Sequence, residues 1–419
     1  MLRASVGLSR LGAAGRGGAR RHAGAAAGAA AGAARGFMAK RAAGAGAGRG
    51  AAAAAAAASP KKRAKFVAPK GPMERGSTPR GEPPAGRGGA PQLKVVAWNL
   101  AGLRAALKPE KAEVLRRVVE AERPDILCIS EHKLQAQHVP DVEKALAELL
   151  PGYSAHWAIS TAKKGYAGVA ALVRSGAGSS GGGAVATAAK KKDFFKPASQ
   201  KAAAVEGAAV PSGLRPTRVT SGVGAGLPAS AAHAAWYNEE GRCLTLELPE
   251  LFVVTSYVPN AGDGLKRLDL RIGEWEAAMN DYLAALDALK PVVYIGDLNV
   301  AHQDRDIWNC GAPHVPKSAG TSPEERAAFP RLLERGFSDS FRHFHPEADG
   351  CFTYWSQRAN NRPVNKGLRI DYAVVSKRLL PGEAPASGPE MFDAFHLDRE
   401  CVGLSDHCAV GVTLALAGE

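Results

Sequence analysis

No aspartate or glutamate occurs before Glu74 in this chain of 419 residues. The first 73 residues are built largely from Ala, Gly and Arg, and their 14 Lys and Arg equal the whole formal charge of +14. Residues 74–419 therefore hold 40 basic and 40 acidic side chains, so the positive excess describes the tail alone. That tail is also poor in the large apolar residues whose burial offsets the entropy of ordering a chain. Residues 1–90 are accordingly expected to be a disordered basic tail. Cysteine is scarce as well: six residues, at 128, 243, 310, 351, 401 and 408, with no Cys-x-x-Cys pair. The scatter argues against a zinc site or a secreted disulfide framework and suits a reducing compartment. No apolar run reaches the ~18 residues of a membrane helix, so no membrane partner is expected. No internal repeat recurs at a fixed period.

Two targeting signals compete within the tail. Ser59-Pro60-Lys61-Lys62-Arg63-Ala64-Lys65 suits a basic nuclear-import cluster. The acid-free, Arg-rich stretch from Met1 to about Arg49 suits a transit peptide for chloroplast or mitochondrion, with Met38 as an internal start. The plain alternative is a solvated arm that raises non-specific DNA affinity through counterion release.

From Leu93 onward the texture changes to short apolar runs between amphipathic stretches, and a single domain is expected over 91–419. Strands are predicted at Leu93–Trp98, Ile126–Ser130, Gly168–Val173, Cys243–Leu248, Phe252–Ser256, Val292–Ile295, Ile370–Val375 and Ala409–Leu416. Helical patterns occupy Pro109–Glu122, Val139–Leu150, Leu265–Leu289 and Ser322–Arg335. Ser322-Pro323-Glu324-Glu325 reads as a Ser cap, a proline in the first turn and an acidic start. The mixture argues an α/β fold with a layered sheet core. Residues from about 175 to 220 break the pattern and read as a low-complexity insertion, rich in Gly, Ala, Ser and Lys. Inside it, the segment 190–197 joins a basic run to Phe194 and Phe195. It reads as a solvated patch or as a weak protein contact.

The informative feature is the polar residue at the edge of each strand. Asn99 comes directly after Val95–Trp98, Glu131 after Ile126–Ser130, Tyr257 after Val253–Ser256, and Asp297-Leu298-Asn299 after Val292–Gly296. Arg369 and Asp371 open another strand, and Ser405-Asp406-His407 precedes the last. Ligand sites in α/β sheets gather at strand ends. One acidic pocket of this kind suits phosphodiester hydrolysis assisted by a hard cation such as Mg²⁺. Taken singly, each residue has a plainer reading. Asn99 fits a cap or turn, Glu131 a solvated loop, Asp297–Asn299 and Ser405–His407 local turns. Tyr257 also fits a structural tyrosine, and Arg369–Asp371 an ion pair. Those readings do not explain why all of them fall at strand ends.

The strings Trp98-Asn99-Leu100-Ala101-Gly102-Leu103-Arg104, Ser256-Tyr257-Val258-Pro259-Asn260-Ala261-Gly262, Gly296-Asp297-Leu298-Asn299, Asn365-Lys366-Gly367-Leu368-Arg369-Ile370-Asp371-Tyr372 and Ser405-Asp406-His407 resemble the exonuclease III family of apurinic/apyrimidinic endonucleases. Ala319-Gly320-Thr321-Ser322-Pro323-Glu324-Glu325-Arg326 adds to it, and the resemblance spans roughly 92–416 apart from the insertion. It implies a DNase-I-like four-layer α/β sandwich, two packed mixed sheets flanked by helices. It implies a base-excision-repair endonuclease, a monomer on double-stranded DNA. This enzyme would cut 5′ to an abasic site and leave a 3′-hydroxyl, with 3′-phosphodiesterase or 3′–5′ exonuclease activity in the same family. It implies Mg²⁺, with Mn²⁺ as a substitute and one or two ions. Residue by residue, Glu131 would be the main metal carboxylate, with Asn99 and Asp406. Asp297 would activate water and Asn299 would position it; Asp297, Asn299 and His407 could hold a second ion. Tyr257 and His407 would touch the scissile phosphate, with Asp371 orienting His407. Arg104, Gly165, Tyr166 and Asn260 would lie along the DNA backbone, and Tyr354, Trp355 and Leu368 would receive the abasic sugar.

The sequence departs from the family pattern at Ala101, where Asp or Asn is usual, at Leu368, where Trp is usual, and at Asp263, where some relatives have Arg. Two other readings stand beside the first: a superfamily phosphodiesterase or phosphatase for lipid or inositol phosphates, and a non-catalytic DNA-binding protein.

Overall fold

The computed structural model describes residues 69, 71–175, 215–224 and 236–417. Most of the tail and most of the insertion, including the 190–197 segment, lie outside them. The described strands are β1 (Gln92–Asn99), β2 (Ile126–Ser130), β3 (Tyr153–Ala158), β4 (Val169–Arg174), β5 (Arg218–Ser221) and β6 (Cys243–Glu247). They continue with β7 (Phe252–Tyr257), β8 (Val292–Asp297), β9 (Phe337–Asp339), β10 (Asp371–Ser376), β11 (Glu390–His396) and β12 (Val410–Ala415). Two six-stranded sheets result, ordered β11-β12-β1-β2-β4-β3 and β5-β6-β7-β8-β10-β9. The described helices are α1 (Leu103–Ala106), α2 (Pro109–Glu122), α3 (Val139–Leu149), α4 (Trp236–Glu239), α5 (Ala277–Asp287), α6 (Pro323–Leu333) and α7 (Ser340–Phe344).

The period of two along each strand builds the layers. Leu93, Val95 and Ala97 of β1 meet Val253 of β7 and Val293 and Ile295 of β8 in a core between the sheets. Their neighbours Val96 and Trp98 face the other way, onto Leu115, Val118 and Val119 of α2 and Val142 and Leu146 of α3. On the second sheet, Val254, Val292 and Tyr294 face Met279, Leu283 and Leu286 of α5 and Phe329 and Leu332 of α6. Each fully buried aliphatic side chain contributes about 1.5–3 kcal/mol of transfer free energy, which explains why these strands read as unbroken apolar runs. The order helix, sheet, sheet, helix is the four-layer sandwich that the resemblance implied.

Register places the chemistry. β1 and β2 are parallel, as are β7 and β8, so Asn99 lies opposite Ser130 and Tyr257 opposite Asp297. β10 runs antiparallel to β8 and starts with Asp371 opposite Asp297. β12 runs antiparallel to β1, which brings the residues just before it to the same edge.

Three expectations change. Residues 71–90, assigned to the disordered tail, lie against the body of the fold. Arg75 pairs with Asp398, Arg80 donates to Asp393 at 2.7 Å, and Arg87 donates to the carbonyls of Ala386 and Gly388. Gly81 runs so close to β11 that a Cβ there would stand 1.8 Å from the Phe392 carbonyl oxygen. The expected helix Leu265–Leu289 divides into a π-helical run at Leu270–Glu276 and then α5. The wider turns put Arg271, fully buried, against the carbonyl oxygens of Pro259, Leu298 and Asn299 at 3.2, 2.9 and 2.7 Å. Finally, β3, β5, β9 and β11 add four strands to those expected. The Ser322 cap is present, and the Glu325 carboxylate in turn accepts from the Ser322 backbone N–H, closing a capping box.

Candidate active site

The edge where the parallel strands end carries most of the predicted residues. Asn99 is buried, and its amide nitrogen donates to Glu131 Oε1 at 3.0 Å and to Asp297 Oδ2 at 2.9 Å. Its amide oxygen accepts from the backbone N–H of Ala101 at 2.9 Å. Glu131 and Asn299 hold left-handed backbone conformations, φ 54° and 50°, as does Ala101 at 52°. Such strain in residues other than glycine tends to cluster where function fixes the backbone. Gly296, before Asp297, has φ 147°, and a Cβ there would lie 2.1 Å from the Ser256 carbonyl oxygen. Only glycine lets β7 and β8 approach this closely beside the site.

Asp297 is buried, and its Oδ1 accepts from the Asn299 N–H at 2.9 Å. Burial, and then the neighbouring Asp371 carboxylate, push the Asp297 carboxyl up to about 7, against the opposing pull of His407. His407 Nδ1 pairs with Asp371 Oδ2 at 2.8 Å, and its Nε2 stands 4.0 Å from Asp297 Oδ2. Burial works against the charged imidazole, but Asp371, with Asp297 and Asp406, outweighs it and raises His407 to about 10. Tyr257 is also shifted: burial, then the Glu131 and Asp297 charges, hold its hydroxyl protonated well above the usual range. Burial would raise Glu131 too, yet the Lys133 ammonium at 2.8 Å holds it below the ordinary carboxylate value.

Two corrections concern the charged partners. Arg369 does not pair with Asp371. It is buried between Asp306 and Asp339, at 2.8 and 2.6 Å, while Asp371 serves His407. Asp371, expected only as an orienter, also joins a metal-competent group: Asp297, Asp371 and His407 each offer one ligand atom within 4.8 Å of the others. The donors are hard oxygens with one imidazole, a set that suits an oxygen-seeking divalent cation. The raised Asp297 carboxyl reports two acids crowded in one buried place, a repulsion that a cation relieves. Asp406 is half-buried beside this group, its Oδ1 accepting from the Ser405 hydroxyl at 3.3 Å.

Tyr354 and Leu368 line a cavity of about 390 Å³ next to His407, whose ring centroid is 4.9 Å from that of Tyr354. Trp355 does not line it. It is 1% exposed, donates its indole N–H to Asn365 at 3.1 Å and belongs to the core behind the pocket. The aromatic surface comes from Trp308 instead, with Ile307, Asn309 and His314. Asp-Ile-Trp-Asn at 306–309 is the stretch that could have revealed it. Of the residues expected along DNA, Asn260 is exposed and donates to Asn299 at 2.9 Å. Gly165 and Arg104 are exposed, and Tyr166 is half-buried.

Residues 96–407 match the model of the endonuclease/exonuclease/phosphatase family. The chain is 35% identical to a DNA-(apurinic or apyrimidinic site) endonuclease of Dictyostelium discoideum over 327 residues, 78% of this chain and 71% of that protein. It is 35% identical to the DNA repair nuclease APEX1 of Danio rerio, over 78% of this chain and 84% of the relative. Among solved structures, an AP endonuclease from Leishmania major superposes with a TM-score of 0.59 at 29% identity, covering 78% of this chain and 89% of that one.

Proposed function

The chain belongs to the endonuclease/exonuclease/phosphatase family, and from that footing we propose that it is a DNA-repair endonuclease acting at abasic sites. The bond cut is the phosphodiester 5′ to the abasic sugar, and the product end is a 3′-hydroxyl. The observation that carries this reading is Asp297: a buried carboxyl poised near neutrality, held by Asn99 and Asn299, and facing a His407–Asp371 pair. A carboxylate so poised accepts a proton from water at physiological pH, since an effective general base titrates near the working pH. The Asn299 N–H fixes Asp297 Oδ1, and the Asn99 amide holds Oδ2, which stands 4.0 Å from His407 Nε2. His407, kept as an imidazolium by Asp371, presents Nε2–H as a fixed donor to a phosphoryl oxygen. Tyr257, kept protonated, presents a second donor.

Mg²⁺ is the cation proposed, with Glu131, Asn99, Asp297, Asp371 and Asp406 as the residues available to one or two ions. Bound there, it supplies Lewis-acid polarisation of the phosphoryl oxygen and charge neutralisation at the leaving oxygen. The cavity lined by Trp308, Tyr354 and Leu368 is proposed to take the extruded sugar, and its walls discriminate against a nucleotide that still carries its base. Nucleus, chloroplast and mitochondrion are all destinations compatible with the tail, with the nucleus proposed first on its Lys61–Lys65 cluster.

The test is a pair of end-labelled duplexes, one with a single abasic analogue and one intact. The expected result is a nick 5′ to the analogue with Mg²⁺, none with chelator, and little on intact DNA. Release of phosphate from a lipid headgroup without nicking would place the chain elsewhere in the family. Binding to the abasic duplex without turnover would make it a non-catalytic DNA-binding protein.

A further inference from the structure

Behind Tyr257 lies a buried guanidinium to which the chemistry above gives no part. Arg242 immediately precedes β6 and is 1% exposed. Each of its three nitrogens is spent in a different direction. Nε donates to Glu240 at 2.5 Å, Nη1 to the Tyr257 carbonyl oxygen at 2.9 Å, and Nη2 to the Tyr166 hydroxyl at 2.7 Å. The Arg242 carbonyl takes the Tyr257 N–H at 2.9 Å. The guanidinium carbon also lies 4.7 Å from the Tyr257 ring centroid and 5.3 Å from that of Tyr166. A flat cation against an aromatic ring is attracted to its face. One side chain thus holds the backbone and ring of the reaction-centre tyrosine, and the ring and hydroxyl of the half-buried Tyr166.

Tyr166 is held from a second side as well. Its hydroxyl accepts from Arg242 and also from Arg267 Nη1 at 2.7 Å, and Glu240 ties the two arginines together. A phenolic oxygen has one hydrogen to donate besides the lone pairs that accept. With two guanidinium donors on its oxygen, Tyr166 can only donate onward, and a donor in a charged network is strengthened. The loop it sits on carries Lys163-Lys164-Gly165 directly before it, with the Lys163 ammonium 5.3 Å from the Tyr166 ring. A hydroxyl forced to donate, next to lysines, fits a phosphate oxygen of the DNA backbone.

We propose that Arg242 is a positioning residue that couples the grip of Tyr166 on the DNA backbone to the placement of Tyr257 at the scissile phosphate. This rests on the endonuclease reading above. Arg242 itself touches no reacting atom; it sets where two other side chains stand.

The test is a double-mutant cycle on the full chain: wild type, Tyr166→Phe, Arg242→Lys and the pair. Affinity for an abasic duplex, single-turnover incision at saturating DNA, and melting temperature are measured for each. Lysine keeps the charge but loses the fork. Tyr166→Phe is expected to weaken affinity ~10-fold, the scale of one hydrogen bond to a charged group. Arg242→Lys is expected to weaken affinity by as much and to slow saturated incision ~10²-fold, because Tyr257 loses its geometry. Adding Tyr166→Phe to Arg242→Lys is expected to cost no further affinity, the sign of a shared interaction. The proposal is overturned if the two affinity losses multiply as independent effects. It is equally overturned if Arg242→Lys lowers melting temperature alone while rate and affinity stay wild type. Should Arg242→Lys not fold, Tyr166→Phe with wild-type affinity overturns it unaided. Wild-type incision in the same gel reports the endonuclease reading separately, so one can fail without the other.

Discussion

Glu131 illustrates how much a single residue's place determines. It stands just beyond β2 in a left-handed conformation, shares Asn99 with Asp297, and is held ionised by Lys133. Glu131→Ala is therefore expected to raise the Mg²⁺ concentration for half-maximal incision ~10-fold or more, since even indirect support of a metal ligand has that scale. A metal titration that overlays wild type would remove Glu131 from the cation's contacts. Such residues are legible because an Asn, Glu or Asp at the end of an apolar run has few structural reasons to recur across several strands. The tryptophans were not legible in the same way. Tyr354 bridges to Leu368 and His407 in extended backbone, and successive residues in extended chain face opposite sides. With Tyr354 turned to the pocket, Trp355 must turn to the core, and only the path of the loop decides which of the two faces inward.

At the level of elements, ion pairs set what sequence periodicity could not. Strand β11 reads Glu-Met-Phe-Asp-Ala-Phe-His, and its buried Asp393 is satisfied by Arg80 and the Gly81 N–H, more than 300 positions away. No local pattern announces a strand whose charge is neutralised from so far along the chain. The loop behind the pocket is held similarly, by Asp306 and Asp339 around Arg369, with Arg342 completing the network. Burial alone would raise Asp306; Arg369 and Arg342 outweigh it and hold its carboxyl far below the usual range. A depressed carboxyl binds its proton in the unfolded chain first, so its stabilisation is present above about pH 4 and fades as pH falls below that. Asp306→Asn is expected to cost about 3–5 kcal/mol at pH 7 by leaving Arg369 short of a counter-charge. It should also flatten the loss of stability between pH 5 and 3. Denaturation midpoints for both proteins across that range check it, and curves that stay parallel would assign the acid sensitivity to other groups.

Over the whole molecule, charge is divided unevenly. Residues 174–218 hold eight basic and two acidic side chains inside a formally neutral 74–419, so the part built on the strands is itself acidic. An acidic fold acting on a polyanion needs positive charge placed locally, and the tail with its 14 basic residues is the largest reserve. Deleting residues 1–70, short of the segment bound to β11, is expected to weaken DNA affinity at low salt and to flatten its dependence on salt, because fewer counterions are released. Deleting 176–214 should act in the same direction more modestly. Parallel log–log slopes for all three proteins would leave both segments as address labels or spacers.

Asp297, as the proton acceptor of a hydrolysis at abasic sites, is the residue on which the proposed chemistry stands. The direct measurement is single-turnover incision of an abasic duplex by wild type and Asp297→Asn at saturating Mg²⁺ and DNA, with affinity measured alongside. The expected result is a rate lower by ~10²-fold or more, the scale of removing a general base, with binding retained. A variant that binds the abasic duplex and cuts it at nearly the wild-type rate would contradict that role.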